Sequence, residues 1–393
     1  MLGIDRPTLS TMDQSEPVKV LFIEVAYGAL GADYSVHAEL IKAISDPGEL
    51  QAMSLSHPSL APLGPDHVVR EPIRLSTPGT PFRHRLSVVV DMPRALARAR
   101  RHVRRFQPDV IYSSQLRKDV VFAGLLSRLC RVPHIVHLHY SYGPWLGRLA
   151  TRIIRASTHV IAVSEFVRQT ALLRGFEEAR VSTLPNLTAP DAGGGADRPA
   201  MRRELGIADD DVVVVAAGRL DRGKGFDLLI RAIAALGPVP GCVVLICGQS
   251  NHSPGHDREL RQLTNELGVE ETVRFLGQRP DLPALLEAAD IFCLPSTMEP
   301  FGLVYVEAMR ASLPVVALRS GGVPEIVIEG VTGLLSYPGD VEALTANLRR
   351  LISEPETRTR LGRDGGQRLR SQFDNGTIAR RWMSIVRSAL AGG

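Results

Sequence analysis

The chain's 393 residues, at roughly 100–200 per domain, are enough for two domains and at most three. With 44% apolar and 22% charged residues it is excluded from wholesale disorder, and no apolar run approaches the roughly 18 residues of a membrane span. The net charge of +4 is uneven: residues 1–190 hold 23 basic and 16 acidic side chains, the remainder 23 and 26, so the first half is expected to attract something anionic.

In chain order, the first half reads as apolar strands at Val18–Val25, Val110–Tyr112, His134–His139 and Val160–Val163, with helices at Asp33–Ile44, Asp119–Leu129 and Leu146–Arg155 between them. The second half repeats the plan. Its strands are Val212–Ala217, Cys242–Cys247, Val273–Leu276, Ile291–Leu294 and Val315–Leu318. Its helices are Phe226–Leu236, Arg258–Leu267, Leu282–Ala289, Leu303–Ala311 and Val341–Ile352. Near-continuous apolar strands alternating with helices predict parallel sheets covered on both faces, hence two doubly wound, Rossmann-like α/β domains.

Leu187–Ala200 (LTAPDAGGGADRPA) has linker composition. The predicted division is residues 1–190, 191–376, and a final helix, 377–393, crossing back to the first domain. Ile378, Trp382, Ile385, Val386 and Ala389 share a face of that helix. Two such domains facing each other leave a central cleft lined by the carboxyl ends of both sheets, where open α/β sheets bind ligands. The N-terminus lacks the basic patch and apolar core of a secretory signal. Cys242, Cys247 and Cys293 lie inside apolar runs and read as buried thiols, so the expected location is cytoplasmic.

Chemistry concentrates in two loops. Gly218–Gly225 (GRLDRGKG) joins a strand to an amphipathic helix, placing Arg219 and Lys224 at the carboxyl end of a parallel strand, where two cations suit a diphosphate. Gly225 stands where a Walker motif needs Ser or Thr, so it is not one. Two solvated loop charges are the plain alternative. Glu299–Glu307 (EPFGLVYVE) follows the strand Ile291–Leu294. Its helix starts near Gly302, and the amides there form an anion site. Glu299 and Glu307 can each accept two hydroxyl hydrogen bonds, as a sugar diol requires. A capping role for Glu299 and simple exposure for Glu307 are the alternatives.

The Glu299-x7-Glu307 spacing within EPFGL, EAM, PVVA, GGVPE and TGLL resembles the signature of retaining glycosyltransferase family 4, with the GT-B fold. GRLDRGKG is similar to that family's donor-phosphate loop, and LGQRPDLPALLEAADIFCLPS to its nucleotide-binding region; PHIVHLH, HVIAVSE and LPN add weaker matches. The resemblance spans about residues 18–372. It implies that Arg219 and Lys224 hold the donor diphosphate, that Glu299 binds hydroxyls of the donor sugar and that Glu307 binds the ribose. Phe301, Gly302 and Leu303 would touch sugar and phosphate, Gln278 and Arg279 would flank the base, and His139 would lie near the transferred sugar. Gly31, then Gly28, of YGALGAD match the loop that closes over the diphosphate, although the family often has two adjacent glycines and a Glu there. The implied reaction moves a hexose or N-acetylhexosamine from a UDP- or GDP-sugar, without a metal, to a glycan, lipid-linked or small-molecule acceptor. Polysaccharide biosynthesis is one setting for it. No cofactor is expected beyond the donor. A non-catalytic sugar-nucleotide sensor or partner subunit is the alternative, disfavoured by the intact Arg219, Lys224, Glu299 and Glu307.

Other signals point elsewhere or nowhere. Asp209–Asp211 precedes its strand, at the wrong end for the cleft. On a strand, His134 faces opposite His137 and His139. No Cys or carboxylate cluster completes a zinc site with them, so no metal is expected. Arg94–Arg105 carries six arginines. This segment is expected to make peripheral contact with anionic membrane, with a solvated helix as the alternative. It lacks interleaved aromatics, so nucleic acid is not expected.

Overall fold

The computed structural model describes residues 16–25, 32–44, 46, 48–57, 69–73, 81–188, 197–250 and 253–392. It forms two compact units, Met1–Ala189 with Asn375–Gly393, and Pro190–Asp374. The glycine loop with Gly28 and Gly31 lies outside the described residues.

Unit 1 runs β1 (Val18–Glu24), α1 (Ala32–Ala43), β2 (Leu50–Ser56), β3 (Val69–Pro72), α2 (Pro81–Phe106), β4 (Val110–Ser114), α3 (Arg117–Cys130), β5 (His134–Leu138), α4 (Gly147–Arg155), β6 (His159–Ala162), α5 (Glu165–Leu172) and β7 (Val181–Thr183). Its strands form one parallel sheet in the order β3-β2-β1-β4-β5-β6-β7. Strand order reverses between β1 and β4, the switch point where doubly wound sheets open a crevice.

Unit 2 runs α6 (Arg198–Glu204), β8 (Val212–Ala217), α7 (Phe226–Leu236), β9 (Cys242–Cys247), α8 (His256–Glu266), β10 (Val273–Gly277), α9 (Leu282–Ala288), β11 (Ile291–Leu294), α10 (Leu303–Arg310), β12 (Val315–Leu318), α11 (Val323–Ile326), β13 (Gly333–Ser336), α12 (Val341–Ser353) and α13 (Pro355–Gln372). Its parallel sheet, β10-β9-β8-β11-β12-β13, reverses between β8 and β11. The runs VVVVAA and CVVLIC are buried almost throughout, as strands covered on both faces must be.

The last helix, α14 (Asn375–Ala391), belongs to unit 1. Ile378, Ala379, Trp382, Met383, Val386 and Leu390 bury one stripe of it against a core that contains Phe22, Leu40, Ile41 and Tyr112. The Trp382 ring stacks on Phe22 at 6.2 Å and meets Tyr112 edge-on at 5.5 Å. Fully burying a side chain of that size stabilises by ~2–3 kcal/mol or more.

Several elements carry no clear periodic signal in the sequence. β2 (LQAMSLS) carries serines on buried positions, Ser54 and Ser56, which mask its apolar alternation. α13 reads as polar and contains Gly362, Gly365 and Gly366. Gly362 in particular is needed: a Cβ there would stand 2.0 Å from the Ser312 carbonyl oxygen, so only glycine permits this close approach. Arg94–Arg105 belongs to the longer α2, which buries Ala95, Ala99 and Val103 in the unit 1 core and leaves all six arginines exposed. Among the described residues no helix is long and apolar enough to cross a membrane.

Candidate active site

The carboxyl end of the unit 2 sheet is built from glycine turns. After β8 the chain turns through Gly218 and a short helical turn at Arg222–Lys224, and enters α7 through Gly225 in the left-handed region, φ +73°. A Cβ on Gly225 would lie 2.0 Å from the Pro295 carbonyl oxygen, so this glycine lets the loop lie directly on the segment after β11. The Gly223 carbonyl accepts from the Thr297 amide at 2.9 Å and the Ser296 hydroxyl at 3.1 Å, tying the two loops together.

That second loop carries Glu299. The Gly322 amide donates to its backbone carbonyl at 2.8 Å, and Gly321, at φ +58°, has no room for a Cβ against the same carbonyl. The Glu299 side chain is nearly buried, and its Oε2 accepts from Lys224 Nζ at 2.5 Å. The two residues are 75 apart in sequence. Arg219 stands half exposed, with Nε 2.9 Å from Asp221 Oδ2. α10 begins after Gly302 (φ +100°) with no side-chain cap, so its first amides remain available to an anion. The Tyr305 hydroxyl anchors this helix, donating to the Leu294 carbonyl at 2.8 Å.

Glu307 is on α10. Burial pushes its carboxyl pKa up, with Arg310 opposing. Arg279 follows β10 and is held by Asp281 at 2.6 Å and Glu204 at 3.1 Å, while Gln278 beside it is exposed. The structure therefore brings Lys224, Glu299 and the start of α10, at Phe301, Gly302 and Leu303, together. Arg219 is turned to Asp221 and Arg279 to its own acidic partners. His139 belongs to unit 1, just beyond the end of β5. Asp221, Ser296, Thr297 and Gly321 were not singled out from the sequence. The glycine pair after β12 was the one local signal that marks the last of them.

The profile described as "Glycosyl transferases group 1" matches residues 197–368, and "Glycosyl transferase 4-like domain" matches residues 25–187. The chain belongs to the group 1 glycosyltransferases. Over 195 residues it is 40% identical to the D-inositol 3-phosphate glycosyltransferase of Corynebacterium glutamicum (48% of this chain, 46% of that protein). The Corynebacterium efficiens protein of the same name is 42% identical over 175 residues (43% and 41%). The matched segments thus span about half the length of these curated relatives. Among solved structures, Anabaena HepE in complex with UDP superposes with a TM-score of 0.77 at 25% identity, covering 94% of this chain and all of that one. Sucrose-phosphate synthase from Thermosynechococcus elongatus, at 23% identity and a TM-score of 0.72, shares the fold. Like other group 1 glycosyltransferases, the chain has two parallel-sheet α/β domains of GT-B type. Both profiles, and so both units, support the family resemblance read from the sequence.

Proposed function

We propose that the protein is a retaining glycosyltransferase. It moves a hexose or N-acetylhexosamine from a UDP- or GDP-sugar to an acceptor hydroxyl on a glycan, a lipid-linked carrier or a small molecule. The observation that carries this reading is the Lys224–Glu299 pair, held at 2.5 Å beside the uncapped start of α10. One charge suits a diphosphate and the other a sugar hydroxyl, and each holds the other in place until substrate arrives. Breaking a sugar–phosphate bond places negative charge on the leaving diphosphate. Lys224, Arg219 and the α10 amides would stabilise that charge, Glu299 would orient the sugar and Glu307 the ribose. The solved HepE complexes with UDP and UDP-glucose support UDP as the nucleotide to try first. The name of the curated relatives makes a phosphorylated cyclitol a first acceptor to try. The exposed arginines of α2 support peripheral contact with an anionic membrane, at its cytoplasmic face.

Calorimetry with UDP, GDP, ADP and their sugars tests the donor reading, with Arg219→Ala and Glu299→Ala alongside. One nucleotide should bind, and Arg219→Ala should weaken it. Absence of binding by all of them removes the reading. NMR of the product's anomeric proton tests retention, and an inverted product refutes it. Sedimentation with anionic vesicles tests the α2 contact: wild type should bind, and loss should follow neutralising Arg98, Arg101 and Arg105.

A further inference from the structure

At the carboxyl end of the unit 1 sheet, beside its switch point, three buried histidines converge. His37 comes from α1, and His137 and His139 from the end of β5. Each offers a ring nitrogen, and those nitrogens lie within 4.8 Å of one another. The sequence placed His137 and His139 on one side of a strand but gave no third ligand. His37, about a hundred residues earlier, supplies it through the β1–β4–β5 order of the sheet.

The surroundings of the rings are those of metal ligands. His37 Nδ1 is 2.9 Å from Glu24 Oε1. A carboxylate there fixes the proton on Nδ1 and leaves a lone pair on Nε2. This carboxylate–histidine arrangement orients ligating imidazoles and raises their basicity. His137 Nδ1 is 2.8 Å from the Tyr112 hydroxyl, which can hold that ring in the same tautomer, again leaving Nε2. His137 Nε2 is buried without a hydrogen-bond partner, and His139 is buried beside it with the Asn186 side chain as its polar neighbour. An unmet buried polar atom costs ~1–3 kcal/mol and calls for an explanation.

Neighbouring histidines provide the contrast. His134, on the opposite side of β5, meets Ser113 Oγ at 3.0 Å, and His159 meets Ser182 Oγ at 2.8 Å. Those are core histidines with satisfied rings.

We propose that His37, His137 and His139 form a zinc site, with Glu24 and Tyr112 behind the first two ligands and water in the fourth position. Three imidazoles with no thiolate and one open position suit Zn²⁺ and, as a substitute, Co²⁺. A tetrahedral ion about 2.0–2.1 Å from each nitrogen requires them about 3.3 Å apart, so the rings close by no more than about 1.5 Å on binding. Binding through one nitrogen of His139 leaves the other available. The ion would clamp α1 to the end of β5. This inference goes beyond glycosyl transfer and is read through metal, so it stands or falls separately from it.

The test is equilibrium dialysis of chelator-treated full-length protein against zinc, with metal content measured per chain. Wild type should retain about one zinc, and His134→Gln should retain it too. His37→Gln and His137→Gln should weaken binding at least 100-fold, and Glu24→Gln about 10- to 100-fold, the usual effect of removing an outer-shell partner. X-ray absorption on wild-type zinc protein should count three imidazoles, which keeps the proposal open to refutation if a variant fails to fold. No zinc retained by wild type, retention unchanged in His37→Gln, or a shell of thiolates or oxygens alone overturns it.

Discussion

The carboxyl ends of the two sheets solve the problem of building a polar site in opposite ways. In unit 2, backbone geometry does it: Gly225, Gly302 and Gly321 adopt positive φ, loops lie on one another, and charged side chains stand at the rim. In unit 1 it is done by buried titratable side chains, His37, His137, His139, Glu24 and Tyr112, brought from three strands and a helix. The first construction depends on shape and the second on protonation state. They should therefore fail under different perturbations.

The largest expected effect lies on the rim of unit 2. Lys224→Ala should lower turnover about 100-fold or more, the usual effect of deleting one group that stabilises a leaving anion, while the circular dichroism spectrum stays that of the wild type. Near-wild-type turnover would take Lys224 out of the proposed machinery. Next comes the backbone itself. Gly362→Ala pushes a methyl into the Ser312 carbonyl and should destabilise unit 2 by about 3 kcal/mol, seen in urea unfolding followed by hydrogen exchange. Loss of protection in unit 1 instead would break the contrast.

Acid should act on the two units with opposite sign. His134 is buried and its pKa is lowered to about 3, from an ordinary value near 6.5. Between those values the unfolded chain binds a proton that the folded chain refuses, so unit 1 loses about 1.4 kcal/mol per pH unit as pH falls below 6.5. Glu307 is raised by burial. Its folded form takes up a proton before the unfolded form does, so unit 2 gains stability as pH falls through that raised value. Exchange rates resolved by unit, between pH 7 and pH 5, should show unit 1 opening first; the reverse order would end the comparison. The smallest effect is Glu307→Gln. It should weaken nucleotide binding about tenfold and, by removing a buried charge, raise the melting temperature slightly at neutral pH. Unchanged nucleotide affinity would argue against ribose contact.

The same contrast explains what could be read in advance. Apolar runs such as VVVVAA and CVVLIC, and glycine-bearing loops such as GRLDRGKG and EPFGL, are local facts, so the doubly wound fold and the position of the unit 2 loops were legible. The Lys224–Glu299 pair was not, because its members are 75 residues apart and only the order β8-β11 makes them neighbours. His37 stayed hidden for the same reason. β2 and α13 were missed because buried serines and helical glycines obey packing against specific neighbours rather than a periodic pattern.

The position of α14 bears on the order of events during synthesis. Trp382 fills a space between Phe22 and Tyr112 that no earlier residue occupies. A ribosome delivering this chain emits β1 long before the plug for its core, with the whole of unit 2 in between. Unit 2, whose residues lie wholly in between, can finish folding while unit 1 still exposes apolar surface around Phe22. Nascent chains stalled before Asn375 should therefore hold a folded second unit and a first unit that chaperones still recognise.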